Sequence, residues 1–180
     1  MGDRRIKKTR DSIQLAFAKL LTEKSMKDIT VKNLCETANI NKSTFYLHYT
    51  DIYDCADCLR DTIIDEFCVV IDQFEFEDII DKFDIFLVSL INMFEKNRAL
   101  YMPFLKSPSL ASSSCKMKQL MIEKVLDKAT CMNRENMTHR LTVSFIISGL
   151  ISLLEQYEFA EIESQTISAL AYKVKNGFAS

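Results

Sequence analysis

An all-α fold is what this 180-residue chain predicts, on three observations. Only three glycines and two prolines interrupt it, 48% of it is apolar, and apolar residues recur along most of it at helical spacing. A turn-rich sheet protein would need more chain-breaking residues. The expected layout is a small three-helix head, with a long fourth helix leading from it into a helical body.

The first helix is expected over about 5–21. Ile13, Ala16, Phe17, Leu20 and Leu21 recur at i, i+3, i+4, i+7 and i+8 and mark one apolar face. Residues 24–29 form a connector. Thr30 stands where an N-cap belongs, and Val31, Leu34, Cys35 and Ala38 line one side of a short second helix. The turn Asn39-Ile40-Asn41 follows. A helix end favours a left-handed residue, which Asn adopts more readily than most. Ile40 is expected to plug the core, and Asn41 to cap a third helix over about 42–49, too short to stand without packing. Thr50 and Asp51 restart the chain as a fourth helix over 52–71. A fifth is expected over 79–96, from Ile79, Ile80, Phe83, Phe86, Leu87, Leu90, Ile91 and Phe94. Residues 97–113 hold both prolines and Ser107, Ser109, Ser112, Ser113 and Ser114, so a break is expected there. Three further helices are expected at about 115–131, 135–156 and 162–176.

Net charge is −2, but it is unevenly placed. Residues 1–53 carry ten Lys/Arg against six Asp/Glu, and the remainder thirteen against nineteen. Those balances, +4 and −6, suit a basic contact module on an acidic body. No apolar stretch approaches the roughly 18–20 residues that span a bilayer, and no apolar signal core follows the basic N-terminus. The expectation is therefore a cytoplasmic protein without a membrane partner. Its six cysteines read as free thiols.

Residues 30–54 carry the functional signal. Two short helices joined by a tight turn, the second bearing polar and aromatic side chains, are how a helix-turn-helix presents a recognition helix to the DNA major groove. The run Thr30-Val31, Leu34-Cys35 and Ala38-Asn39-Ile40-Asn41-Lys42-Ser43-Thr44-Phe45-Tyr46-Leu47-His48-Tyr49 resembles the DNA-binding signature of the TetR family of transcriptional regulators. The resemblance covers about residues 4–65. It implies a helix-turn-helix DNA-binding domain there and a regulatory and dimerisation domain over 66–180. It also implies a homodimer reading a pseudo-palindromic duplex operator, usually as a repressor.

By that resemblance Lys42, Ser43, Thr44, Tyr46, Leu47 and His48 form the groove-facing surface. Thr30 and Val31 offer backbone N–H groups and a hydroxyl to a phosphate. Lys42 suits a guanine edge and Leu47 a thymine methyl. Phe45 and Tyr49 are expected to pack inward. The family usually has Gly where Asn39 stands, and Lys, a phosphate ligand, where Ile52 stands. The basic arm Arg4, Arg5, Lys7, Lys8 and Arg10 would compensate through phosphate contacts of its own.

Family members often enclose an apolar ligand in the body, for which Phe86, Met93, Phe104 and Met121 are candidates among a Phe- and Met-rich stretch that includes Phe76 and Met132. The resemblance also implies an interface from the last two helices, with Phe145, Ile146, Gly149, Leu150 and Leu153 on one and Ile167 and Leu170 on the other. The run from Phe145 to Leu154 is apolar almost all round, so more than one face needs cover.

Rival signals are thinner. Cys55 and Cys58 have CxxC spacing without a second pair, which leaves a thiol or metal sensor as one alternative. A TetR-like protein–protein adaptor with weakened DNA binding is another, with Ile52 as its sign. His48 and His139 are the only histidines, Glu135 and His139 lack a matching motif, and no G-x-S-x-G, P-loop or G-x-G-x-x-G is present. Neither catalysis nor a cofactor or metal is expected.

Overall fold

The computed structural model describes residues 2–74, 82–128, 135–158, 162 and 164–178. Among them the chain forms nine α-helices and no strand. These are α1 (Gly2–Glu23), α2 (Val31–Ala38), α3 (Lys42–Tyr46), α4 (Ile52–Ile71), α5 (Phe83–Lys96), α6 (Arg98–Lys106), α7 (Ala111–Lys128), α8 (Met137–Gln156) and α9 (Ser164–Phe178). Short 3-10 turns at Met26–Asp28 and Pro108–Leu110 complete the order. The expected start of the fifth helix at Ile79 and Ile80, together with Phe76 and Met132, lies outside the described residues.

The chain divides into two compact units. The first is residues 1–63 with 97–116, and the second is 64–96 with 117–180. Segment 97–116 therefore belongs with the N-terminal helices. In the first unit α1 packs against α2 and α6. Ile13, Phe17, Leu34, Phe45, Leu59, Tyr101 and Phe104 are fully buried there.

The expected break at 97–113 is instead helix α6, with Pro103 inside it, followed by the turn at Pro108–Leu110. An interior proline costs a helix about 3 kcal/mol. Burying Tyr101, Phe104 and Leu105 contributes about 1.5–3 kcal/mol apiece, so packing outweighs the proline.

In the second unit α5 buries Phe83, Phe86, Leu87, Leu90, Ile91 and Phe94, and α9 packs against it. Lys128 Nζ donates to the Ile71 carbonyl (2.9 Å) and to Asp72 (3.1 Å), which places a cation at the carbonyl end of α4. Arg140 pairs with Glu123 at 2.7 Å.

Helix α8 corrects the expectation about apolar length. By length and composition alone this 20-residue helix is long and apolar enough to cross a membrane, and only 17% of its most apolar 18-residue window is buried. Its buried stripe is Val143, Ile147 and Ile151, whereas Met137, Leu141 and Phe145 are exposed. The sequence reading missed it because polar Thr142, Ser144, Ser148 and Ser152 interrupt the apolar run without lowering its average far.

Candidate nucleic-acid interface

Local side chains cap the N-terminal ends of α2 and α3, and a left-handed residue closes α2. Thr30 Oγ1 accepts from the Asn33 N–H (3.2 Å) and donates to Asn33 Oδ1 (2.8 Å), capping α2. Asn39 ends that helix at φ 53°, ψ 48°, the one non-glycine residue with positive φ among those described. This left-handed residue lets the Ile40 N–H reach back to the Cys35 carbonyl at 2.9 Å, a Schellman-type closure. Ile40 itself is half-buried rather than sealed in the core. Asn41 Oδ1 then accepts from the Thr44 N–H (2.7 Å), the Ser43 hydroxyl (2.7 Å) and the Thr44 hydroxyl (2.8 Å), capping α3.

Regular helix ends at Tyr46, short of the expected Tyr49. Hydrogen bonds continue through a turn, from Leu47 N to Ser43 O (3.2 Å) and from Tyr49 N to Phe45 O (3.0 Å). Phe45 and Tyr49 point inward, with ring centres 5.7 Å apart. Tyr46 sits edge-on to Phe45 and is 57% exposed, and Leu47 is 83% exposed. Lys42 and Ser43 are exposed, and Thr44 and His48 half-buried. One buried ring thus anchors a short surface of cation, hydroxyls, phenol and bare leucine.

The start of α4 is acidic, and Ile52 holds the position where the resemblance led to the expectation of Lys. Asp51 accepts from the Asp54 N–H (2.8 Å), and Asp54 accepts from the Thr50 N–H (2.8 Å), while Ile52 is buried. Asp51 thus caps α4, and Asp54 reaches back to the residue before the cap.

No family model matches the sequence, and no curated protein is similar to it in sequence. Solved structures are similar in shape. The fatty acid degradation regulator FadR from Bacillus halodurans superposes with a TM-score of 0.66 at 13% identity, covering 94% of this chain and 96% of that one. The dihydroxyacetone kinase operon activator DhaS gives 0.60 at 16% identity, covering 94% and 97%. A TetR-like transcriptional regulator from a Rhodococcus species gives 0.60 at 15% identity, covering 95% and 96%. The chain has the TetR fold.

In this TetR fold Arg4, Arg5, Lys7 and Lys8 are exposed on the first turns of α1, so the expected arm is helical from Gly2 onward. Thr9 Oγ1 donates to the Arg5 carbonyl there (3.0 Å). Arg10 lies beside Tyr49, whose phenol burial pushes well above its ordinary range.

Burial favours the neutral form of four thiols, Cys35, Cys55, Cys58 and Cys68. Desolvation pushes Cys55 far up, with Cys58 and Asp54 adding to it, and Cys58, Cys35 and Cys68 are raised by burial first as well. Sensing by thiol needs the thiolate, which this environment disfavours. Among the described residues no group of three potential ligands could hold a metal.

The remaining candidates lie on the body helices, with one exception. Phe145 and Gly149 are exposed, and Ile146, Leu150, Leu153, Ile167 and Leu170 half-buried. A side chain at Gly149 would meet nothing within 4 Å. Phe86 is buried edge-on to Phe74, with ring centres 5.5 Å apart, Met121 is buried and Met93 half-buried. Phe104 belongs to the first unit, fully buried on α6, and is not grouped with those three.

Proposed function

We propose that this chain is a sequence-specific DNA-binding transcriptional regulator, a cytoplasmic homodimer that represses and is released by an apolar small molecule. It is not an enzyme in this reading. The observation that carries it is the exposed surface of Lys42, Ser43, Tyr46 and Leu47, held over buried Phe45 by caps at Thr30, Asn39 and Asn41. Two such surfaces, related by a two-fold axis, would enter major grooves about 34–36 Å apart on a pseudo-palindrome.

Residue roles follow from chemistry. Lys42 donates to a guanine edge, Leu47 packs on a thymine methyl, and Tyr46, Ser43, Thr44 and His48 serve phosphates or neighbouring base edges. The free N–H groups at Thr30 and Val31 face a phosphate. Arg4, Arg5, Lys7 and Lys8 supply further phosphate contacts, offsetting the carboxylates at the start of α4. The exposed stripe of α8, with Phe145 and open Gly149, supports a helix-on-helix dimer that includes α9. A ligand lodged near Phe86, Met93 and Met121 would lower DNA affinity only to the extent that it binds the non-reading arrangement more tightly.

One observation favours a second reading, the TetR-like adaptor: Asp51, Asp54 and buried Ile52 remove the cation that the family places there. Selection of bound duplexes from a random pool at about 150 mM salt, where exposed charges are already well screened, separates the two. Enrichment of a pseudo-palindrome that disappears with Tyr46→Ala supports the regulator. No enrichment by the wild-type protein overturns it in favour of the adaptor.

A further inference from the structure

The geometry points to Ser109 as a positioning residue for the helix-turn-helix, one that caps in trans the connector leading into α2. The connector's 3-10 turn begins at Met26, and its N-cap residue by position, Ser25, makes no side-chain cap bond. The first N–H of a helical turn has no partner within the turn. Here the Met26 N–H donates to Ser109 Oγ at 3.0 Å, from a residue 83 positions away. The bond is partly buried, and the Met26 and Ile29 side chains are both sealed in the core.

Ser109 is itself held. Pro108 opens its turn with a preset φ, the Leu110 N–H returns to the Ser107 carbonyl (3.0 Å), and Leu110 is buried. The Ser107 and Ser109 hydroxyls lie 2.9 Å apart, with Ser107 also buried. The hydroxyl that caps Met26 is therefore fixed by a second hydroxyl and a core leucine.

From Met26 the chain has little slack before the reading surface. Ile29 N returns to Met26 O at 3.2 Å, and Thr30 next caps α2. Ser109 lies on the connection between α6 and α7, and it acts on α2 only through this connector. Its turn joins the head although its sequence neighbours α5 and most of α7 do not. Removal of Oγ frees the Met26 N–H and loosens the register of Thr30 and Val31. A net hydrogen bond of about 1 kcal/mol corresponds to about a fivefold change.

The test uses the full chain as Ser109→Ala and Ser109→Thr, with amide exchange read at Met26 and at Cys35 as an internal reference. Ser109→Ala is expected to speed Met26 exchange about fivefold with Cys35 unchanged, and Ser109→Thr to restore it. An unchanged Met26 rate in Ser109→Ala overturns the capping role. The DNA half rests on the proposed function. Affinity for the selected duplex should fall severalfold in Ser109→Ala at an unchanged salt slope, and recover in Ser109→Thr. Unchanged affinity, or a shallower slope showing that fewer phosphates are neutralised, overturns positioning. If the wild type selects no duplex, the proposed function fails while Met26 exchange still decides the cap.

Discussion

Valine at position 39 would place a β-branched side chain at φ 53°, ψ 48°, where Asn stands now. A left-handed residue with a Cβ costs about 1–2 kcal/mol, and β-branching puts valine at the upper end. Asn tolerates the region better, so Asn39→Val loses about 1–2 kcal/mol if the turn keeps its shape. If the backbone relaxes instead, the Ile40 N–H bond to Cys35 (2.9 Å) goes, costing about 1 kcal/mol more. Across the two cases the loss is about 1–3 kcal/mol, which at this chain length lowers Tm by about 2–12 °C. Asn39→Gly relieves the same strain but adds freedom to the unfolded chain, so it should lie within about 0.5 kcal/mol of wild type. Thermal unfolding by circular dichroism reads both variants. Equal stability of Asn39→Val and wild type would refute a left-handed turn at this position and, with it, the placement of α3 relative to α2.

Three further outcomes are expected. Replacing Arg4, Arg5, Lys7 and Lys8 by alanine should flatten the plot of log affinity against log salt by about 0.9 for each phosphate no longer neutralised, measured by fluorescence anisotropy on the selected duplex. Stability should fall at alkaline pH: Cys55 and Tyr49 are raised in the folded state, so the unfolded chain loses their protons first. The stability they hold is complete below the ordinary thiol value of 9.0 and declines above it, and Cys55→Ala should blunt the decline in urea titrations at pH 8 and pH 10. Phe145→Arg, at a 68% exposed site on α8, should leave Tm within a few degrees yet yield a monomer by sedimentation and weaken operator binding.

What was legible in the sequence was local chemistry. Thr30, Asn39 and Asn41 announce their caps because each acts on a backbone group within a few residues, whereas the burial of Phe45 was implied only by the family resemblance. What was illegible was set by contacts distant in sequence. Pro103 and the serines read as a break because the burial of Tyr101, Phe104 and Leu105 cannot be seen from residues 97–113 themselves. The same holds for Ser109, whose partner Met26 is 83 residues away, and for Phe104, which composition groups with Phe86 and the fold does not.

That the first unit takes in residues 97–116 bears on how such a protein can be rebuilt by exchange of parts. A cassette cut at residue 65 would leave behind α6, and with it Tyr101, Phe104 and Leu105, about 5–9 kcal/mol of apolar burial as an upper bound. A whole domain has only about 5–15 kcal/mol to spare. Grafting the first unit onto another body, or recombining it with a relative, preserves its packing only when the two stretches travel together, so inheritance of the proposed DNA contacts is tied to α6 as well.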